Sequence, residues 1–291
     1  MQLAKHSFWS RASERAFWEQ TQQTQQIGRL SGSLPRFSMA YQPIVNLTAM
    51  DVYGYEALVR SAAGDSAMSV IGQVARKDFY QFDKFCRSQA IHLAIRYGLL
   101  EMDAQLCINV NPRAAVEEDS HLRLTCEEAV AAGFPMNRLT LEFVEDEEIS
   151  DLEGMRQLVQ EYKQQGAKIA IDDFGSGYSG LKVLANLMPD VVKIDMSLTR
   201  RLDVDRPTQV ILRAVVSACI ELGIEVIAEG IERYEQSTRL VDMGVFLQQG
   251  YLFGVPSFES LTQVDFAPIR SGLSHAQVVQ PINRNAERYD R

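Results

Sequence analysis

The sequence predicts one α/β domain of the (β/α)8, TIM-like barrel class, in which one strand near the N-terminus runs antiparallel. Strand-like and helix-like segments alternate along the chain, eight strand candidates are present, and the first two are joined by a short connection. The length of 291 residues suits such a barrel, which typically needs about 250 residues. A doubly wound open sheet is the alternative, but the glycine-rich phosphate turn that usually marks it is missing from the sequence.

The strand candidates are apolar runs rich in β-branched and aromatic residues, and helical patterns fill most gaps between them. The strand runs are 38–45, 52–59, 105–110, 138–144, 168–172, 190–195, 224–228 and 246–252. The helical patterns are 66–75, 80–98, 120–132, 151–165, 179–187, 207–222 and 233–243. Only Leu47 to Asp51 separate the first two runs, which is too short for a helical crossover, so these strands are expected to be antiparallel.

The two ends of the chain differ from the alternating middle. We interpret residues 1–35 as an N-terminal helical arm and linker, 36–268 as the barrel, and 269–291 as a polar C-terminal tail. The arm carries four aromatic residues within roughly one helical face: Phe8, Trp9, Phe17 and Trp18. They predict docking of a regulatory protein or a second subunit, with a local packing helix as the alternative.

Composition excludes several classes of protein. Apolar residues make up 46% and charged residues 23%, as in an ordinary globular domain. A net charge of −9 argues against a DNA-binding protein, which needs a basic face. No apolar run approaches the ~18 residues of a membrane span, and the N-terminus has no apolar secretory core. The four cysteines form no C-x-x-C pair, so we expect reduced thiols in a cytoplasmic protein.

Polar side chains end seven of the eight strand candidates. They are Glu56, Asn109, Glu142, Glu145, Asp172, Asp173, Lys193, Asp195, Glu229, Glu232 and Gln249. Each alone has an ordinary explanation, such as a turn or the start of a helix. Strand ends converge on one rim of a barrel, however, and so many acids crowded there would be costly without cations. Their oxygen atoms predict Mg²⁺ or Mn²⁺, in a two-metal site of the kind that hydrolyses phosphate esters.

Residues 36–268 resemble the EAL-domain cyclic di-GMP phosphodiesterases. The signature is Glu56-Ala57-Leu58, within Tyr55 to Arg60. In order, the supporting motifs are Tyr41 to Ile44, Asn109, Glu142-x-x-Glu145, Asp172 to Tyr178, Lys193 to Asp195, Ala228 to Glu232 and Gln249 to Tyr251. Phe82-Asp83-x-x-Cys86-Arg87, Ser179 to Leu181, Pro189-Asp190 and Leu247 to Phe253 are most similar to the branch often fused to flavin-binding blue-light sensors.

The resemblance implies hydrolysis of cyclic di-GMP to linear pGpG and a role for each rim residue. Glu56, Asn109, Glu142 and Asp172 would hold the first metal, and Asp172 would bridge to a second near Asp173 and Glu229. Lys193 would orient the attacking water, Glu229 would serve as its base, Gln249 would support the site, and Glu145 would anchor the loop 174–180. Gln42, Arg60, Asp195 and Glu232 would contact the substrate.

Two further expectations follow from the resemblance. One is a homodimer that pairs through helices near the loop 174–180. The other is an alternative function, a catalytically weak cyclic di-GMP receptor or protein-interaction module, which some family members are. The departures from the family pattern are Val144, Asn111 and Phe246, and none of them is an implied metal ligand.

Overall fold

The computed structural model describes residues 34–111, 121–144, 152–177 and 180–273, in which strands form a closed barrel surrounded by helices. The strands are β1 Phe37–Asn46, β2 Asp51–Ser61, β3 Gln105–Val110, β4 Leu139–Val144, β5 Lys168–Phe174, β6 Val191–Ile194, β7 Glu225–Ala228, β8 Leu247–Gln249 and β9 Ser257–Phe258. The helices are α1 Ala67–Ile71, α2 Phe79–Arg96, α3 His121–Ala131, α4 Leu152–Gln164, α5 Gly180–Leu187, α6 Met196–Thr199, α7 Arg206–Glu221, α8 Tyr234–Asp242 and α9 Phe266–Leu273.

Strand β1 closes the barrel and runs against its neighbours. Strands β2 to β8 follow one another in parallel, and β1 pairs antiparallel with β2 on one side and with β8 on the other. The predicted barrel with one antiparallel strand is therefore confirmed, and the open-sheet alternative is wrong. The two-residue strand β9 adds to β1 and was not predicted, because a segment so short carries no strand periodicity.

The reversal between β1 and β2 follows from the local sequence. The Asn46 side chain accepts hydrogen bonds from the backbone N–H groups of Thr48 and Ala49, at 2.9 and 3.2 Å. Asparagine favours such turns because its side chain can mimic a backbone carbonyl. The chain thus returns within four residues, which leaves no room for a helical crossover.

Period-two alternation of the strands separates the barrel interior into layers. Ile44, Cys107, Ala170, Val191 and Ile227 form an apolar cluster. Each lies two residues along its strand from a polar side chain that points the same way, because strand side chains repeat every second residue. The apolar layer fills the barrel below the polar rim, so the rim lies on a packed core and is not the mouth of a pore.

Most predicted elements occur within two residues of their expected ends, but strand β8 ends at Gln249, three residues before its predicted end at 252, and three other features differ. Helix α1 is shorter than predicted, and the four-residue α6 was missed. Helix α9 crosses the expected boundary at residue 268, and its Ile269 is buried. Residues 1–33 of the predicted arm lie outside the described part. Within the described residues, no helix is long and apolar enough to cross a membrane.

Candidate metal centre

Every strand of the closed barrel brings one polar side chain to the same rim. They are Gln42 on β1, Glu56 on β2, Asn109 on β3, Glu142 on β4, Asp172 on β5, Lys193 on β6, Glu229 just after β7 and Gln249 on β8. Strand register aligns them: Gln42 is opposite Glu56, and Asn109 is opposite Glu142. Apart from Gln42, whose place on the rim was not predicted, these residues converge in the structure as expected.

Lys193 lies at the centre of the rim and is fully buried. Its ammonium Nζ is 2.8 Å from Glu229 Oε1 and 2.9 Å from Asp172 Oδ1. The same atom is 3.1 Å from Glu142 Oε2 and 3.3 Å from Glu56 Oε2. A lysine buried in this way needs carboxylate partners, and it has four.

Three amide side chains complete the surroundings of Glu56. Asn109 Nδ2 donates to Glu56 Oε1 at 3.0 Å, and Gln249 Nε2 donates to Glu56 Oε2 at 2.7 Å. Gln249 Nε2 also lies 3.3 Å from Gln42 Oε1, while Gln42 Nε2 donates to the carbonyl of Gly254 at 3.1 Å. This chain of hydrogen bonds fixes the orientation of the Glu56 carboxylate.

The rim carries more negative charge than its lysine can neutralise. If all four carboxylates were ionised, the one ammonium would leave three negative charges. Burial raises the pKa of Glu142 well above its usual range, and Lys193 only partly offsets this. Burial also raises the pKa of Glu56, but there the charge of Lys193 and the bonds from Gln249 and Asn109 outweigh it, and the net pKa is lowered. The excess charge predicts that cations bind here.

Two groups of acids have the spacing of cation ligands. Glu56, Glu142 and Asp172 form one, and Asp172, Asp173 and Glu229 form the other, with ligand atoms within 4.8 Å of one another in each. Asp172 belongs to both, so it can bridge two cations. Glu142 Oε1 is buried without a hydrogen-bond partner, which is costly unless a cation is its partner. This oxygen-only donor set fits Mg²⁺ or Mn²⁺.

The backbone is strained at the second acid of the pair. Asp173 has a φ of 56°, in the left-handed region that non-glycine residues rarely adopt. Its N–H donates to Asp172 Oδ1 at 3.0 Å, and its carbonyl accepts from the N–H of Ser176 at 3.0 Å. Strain of this kind costs about 1–3 kcal/mol, and here it turns two consecutive side chains toward the same rim.

The predicted substrate contacts surround this centre less closely. Arg60 follows Glu56 on β2, is half-buried, and donates to the carbonyl of Val59 at 2.8 Å. Asp195 accepts from the N–H of Ser197 at 2.9 Å and lies near enough to Asp173 to help raise its pKa. Glu232 is exposed and belongs to neither acid group. Glu145 lies outside the described residues, so its predicted role stays a prediction.

One neighbour of the centre was not predicted from the sequence. Cys107 is one of the four cysteines that were expected only to be reduced thiols, but the charges of Glu142, Lys193 and Glu56 all act on it. Burial, followed by the Glu142 charge, raises its pKa well above the usual range, so it is a neutral thiol. Its position two residues before Asn109 on a strand was the signal that both side chains point the same way.

We expect the metal-free protein to lose stability as pH rises from about 4 to about 8. Burial, with Asp172 and Glu56 nearby, raises the pKa of Glu229 from 4.5 to about 8 against the opposing charge of Lys193. Burial and the charges of Asp172 and Asp195 raise that of Asp173 from 3.8 to about 6. The folded state then holds protons that the unfolded chain has released, so unfolding becomes easier at higher pH.

Urea unfolding in EDTA across this pH range measures the effect. Saturating Mg²⁺ should flatten the dependence, because cations replace the protons as partners of the carboxylates. A free energy of unfolding that rises steadily from pH 5 to pH 8 in EDTA would contradict this account of the rim.

Sequence comparison identifies relatives that share this region. The EAL domain model matches residues 25–256. The blue light- and temperature-regulated antirepressor BluF of Escherichia coli is 29% identical over 224 residues, which are 75% of this chain and 55% of that protein. A cyclic di-GMP phosphodiesterase of Pseudomonas aeruginosa is 31% identical over 251 residues, 84% of this chain and 42% of that protein. The chain thus spans about half the length of these curated relatives.

Solved structures share the fold as well. A standalone EAL protein of Vibrio cholerae in its c-di-GMP-bound form is 42% identical, with a TM-score of 0.74 over 79% of this chain and 95% of that one. The manganese and cyclic di-GMP complex of Klebsiella pneumoniae BlrP1 is 33% identical, with a TM-score of 0.74 over 78% of this chain and 58% of that one. With its signature glutamate on an acidic barrel rim, the chain belongs to the EAL domain family.

Proposed function

We propose that this protein is a metal-dependent phosphodiesterase that hydrolyses cyclic di-GMP to linear pGpG and so lowers the level of this messenger. The observation that carries the proposal is the shared position of Asp172 in two adjacent carboxylate groups. Two cations held side by side are the common arrangement for cleaving a phosphodiester. The manganese and cyclic di-GMP complex of BlrP1 supports the same pairing of ligand and ion.

The ligands of the proposed site divide between the two cations. Glu56, Asn109, Glu142 and Asp172 would hold the first Mg²⁺ or Mn²⁺. Asp172, Asp173 and Glu229 would hold the second. For Asn109 to bind through its oxygen, its amide would present Oδ1 to the cation while Nδ2 stays on Glu56. When bound, the cations would supply Lewis-acid stabilisation of charge on the phosphate and a lower pKa for water.

Lys193 and Glu229 would act directly on the attacking water. The Lys193 ammonium is held among carboxylates, and these outweigh burial and raise its pKa, so it stays charged and can donate a hydrogen bond. Glu229 lies 2.8 Å from it and can accept a proton at its carboxylate. Gln249 would keep Glu56 oriented through their 2.7 Å hydrogen bond.

Substrate binding would use the residues around the acids. Gln42 has both donor and acceptor atoms near the rim, which suits a guanine edge, and the Arg60 guanidinium suits a phosphate. Asp195 and Glu232 are carried by the loops after β6 and β7 and would complete the contacts. Glu145 would restrain the loop 174–180 from the neighbouring strand exit.

Incubation of the purified protein with cyclic di-GMP, followed by chromatography, tests the proposal. Linear pGpG should form with Mg²⁺ or Mn²⁺ and be absent with EDTA. Tight binding of cyclic di-GMP without turnover at saturating metal would instead favour the receptor function and overturn the hydrolase.

We also propose binding partners and a cellular location, which do not depend on the rim residues. We propose a homodimer that pairs through helices near the loop 174–180, and docking of a regulatory protein through the arm 1–35. All four cysteines are free, which supports the reducing cytoplasm as the location. Light scattering at micromolar concentration tests the dimer, and a monomer mass would count against it.

A further inference from the structure

Glu229 lies one residue beyond the end of β7. Its N–H donates to the carbonyl of Ile194 at 3.1 Å, and its carbonyl accepts from the hydroxyl of Thr199 at 2.6 Å. Thr199 is fully buried at the end of α6. The backbone of Glu229 is therefore fixed by the segment that also carries Lys193, its ion-pair partner.

A buried glutamine on α8 holds this arrangement from the other side. Gln236 Oε1 accepts from the N–H groups of Glu232 and Arg233, at 3.1 and 2.9 Å. Its Nε2 donates to the carbonyls of Thr199 and Arg200, at 3.1 and 3.3 Å. The amide thus uses all four of its hydrogen-bonding positions, and it joins the loop after Glu229 to the end of α6.

Close packing leaves this loop little freedom. Gly230 has a φ of 66°, and a Cβ added there would lie 2.4 Å from the Cβ of Met196, the first residue of α6. The loop therefore rests directly on α6 without an intervening side chain. The Gln236 amide holds the two segments at this distance.

We infer that Gln236 is a positioning residue for Glu229: through Thr199 and the loop 229–233, it holds the Glu229 carboxylate between Lys193 and the second proposed cation. The inference rests on the proposed function, because it assigns Gln236 to the support of that site. Partners that orient a metal ligand typically change metal affinity or activity by about 10–100-fold when they are lost. The loss of a purely structural glutamine would change the stability of the fold alone.

The protein offers a matched control for this distinction. Gln248 is also fully buried, and its Nε2 donates to the carbonyls of Ser237 and Val245, at 3.2 and 3.0 Å. Those two carbonyls lie outside the loop 229–233 and outside α6. Methionine approximates the length and volume of glutamine but forms none of these hydrogen bonds, so Gln236→Met removes four buried hydrogen bonds and Gln248→Met removes two.

Three measurements compare the two variants with the wild type: urea unfolding, calorimetric titration of the metal-free protein with Mn²⁺, and steady-state kinetics with cyclic di-GMP. Both variants should unfold more easily. Only Gln236→Met should weaken Mn²⁺ binding at one of two sites by about 10-fold and lower kcat by about 10-fold, with KM little changed. Equal losses of Mn²⁺ affinity and kcat in the two variants would overturn the inference. Wild-type Mn²⁺ affinity in Gln236→Met would also overturn it.

A double-mutant cycle traces the effect to Glu229. In a Glu229→Gln background, Gln236→Met should weaken Mn²⁺ binding little further, because the ligand that it positions is already lost. Additive losses would overturn the inference. If Gln236→Met does not fold, Thr199→Val replaces it as the test and should weaken Mn²⁺ binding. Thr199→Ser keeps the hydroxyl and should keep the wild-type Mn²⁺ affinity. Unchanged Mn²⁺ affinity in Thr199→Val would then count against the inference. The Mn²⁺ titrations stand even if the wild type hydrolyses nothing, so failure of the proposed function is seen separately.

Discussion

Glu56→Ala is expected to lower kcat for cyclic di-GMP by at least about 10³-fold, equivalent to about 4 kcal/mol of transition-state stabilisation. Glu56 pairs with Lys193 and accepts hydrogen bonds from Asn109 and Gln249. Its loss therefore removes one proposed ligand and leaves the amides of Asn109 and Gln249 without this hydrogen-bond acceptor. The fold should survive, because Lys193 keeps three carboxylate partners and the mutual repulsion of the acids decreases. Kinetics with Mn²⁺ and thermal melting in EDTA measure the two effects.

Glu225→Ala is the matched control for this variant. Glu225 begins β7 at the opposite end of the barrel, where it pairs with Lys168 at 2.6 Å. Its loss should leave kcat near the wild-type value. Near-normal turnover in Glu56→Ala would refute the role of Glu56 as a ligand.

Lys193→Met is expected to destabilise the metal-free protein by about 3–5 kcal/mol, the usual cost of removing one partner from a buried ion pair. Four carboxylates lose their common counter-charge, so their pKa values in the folded state rise. The folded state then binds more protons than the unfolded state, so the loss should be larger at pH 8 than at pH 5. Hydrolysis should be lost at both values of pH.

Urea unfolding in EDTA at the two pH values measures this prediction, and Lys168→Met is the control. Lys168 pairs with Glu225 but is partly exposed, so its loss should cost no more than about 1 kcal/mol. Saturating Mn²⁺ should recover part of the stability of Lys193→Met, because cations replace the missing ammonium. Equal destabilisation by the two lysine variants would contradict the central place of Lys193.

The sequence predicted those features that depend on local pattern. Strand β3 was placed at its observed bounds because a mostly apolar run fills 105–110. The antiparallel β1 followed from the length of a single connection. The acids of the rim could be grouped from their positions at the strand ends alone, because the carboxyl ends of parallel strands must converge.

What the sequence left open depends on contacts between distant segments. Gln236 looked like an ordinary helix residue, and nothing near it in the chain signals that its amide reaches Thr199, 37 residues earlier. Helix α6 has only four residues, too few for a helical period. The neutral thiol of Cys107 has charged surroundings that come from three other strands, β2, β4 and β6, which no single segment encodes.

The central claim is that the rim acids hold cations for the attack of water on cyclic di-GMP. Turnover in water enriched in ¹⁸O, followed by mass spectrometry of the product, tests it most directly. We expect pGpG with one ¹⁸O atom in its terminal phosphate when Mg²⁺ or Mn²⁺ is present, and intact cyclic di-GMP when the cations are removed. Recovery of bound, unlabelled cyclic di-GMP at saturating metal would contradict the account.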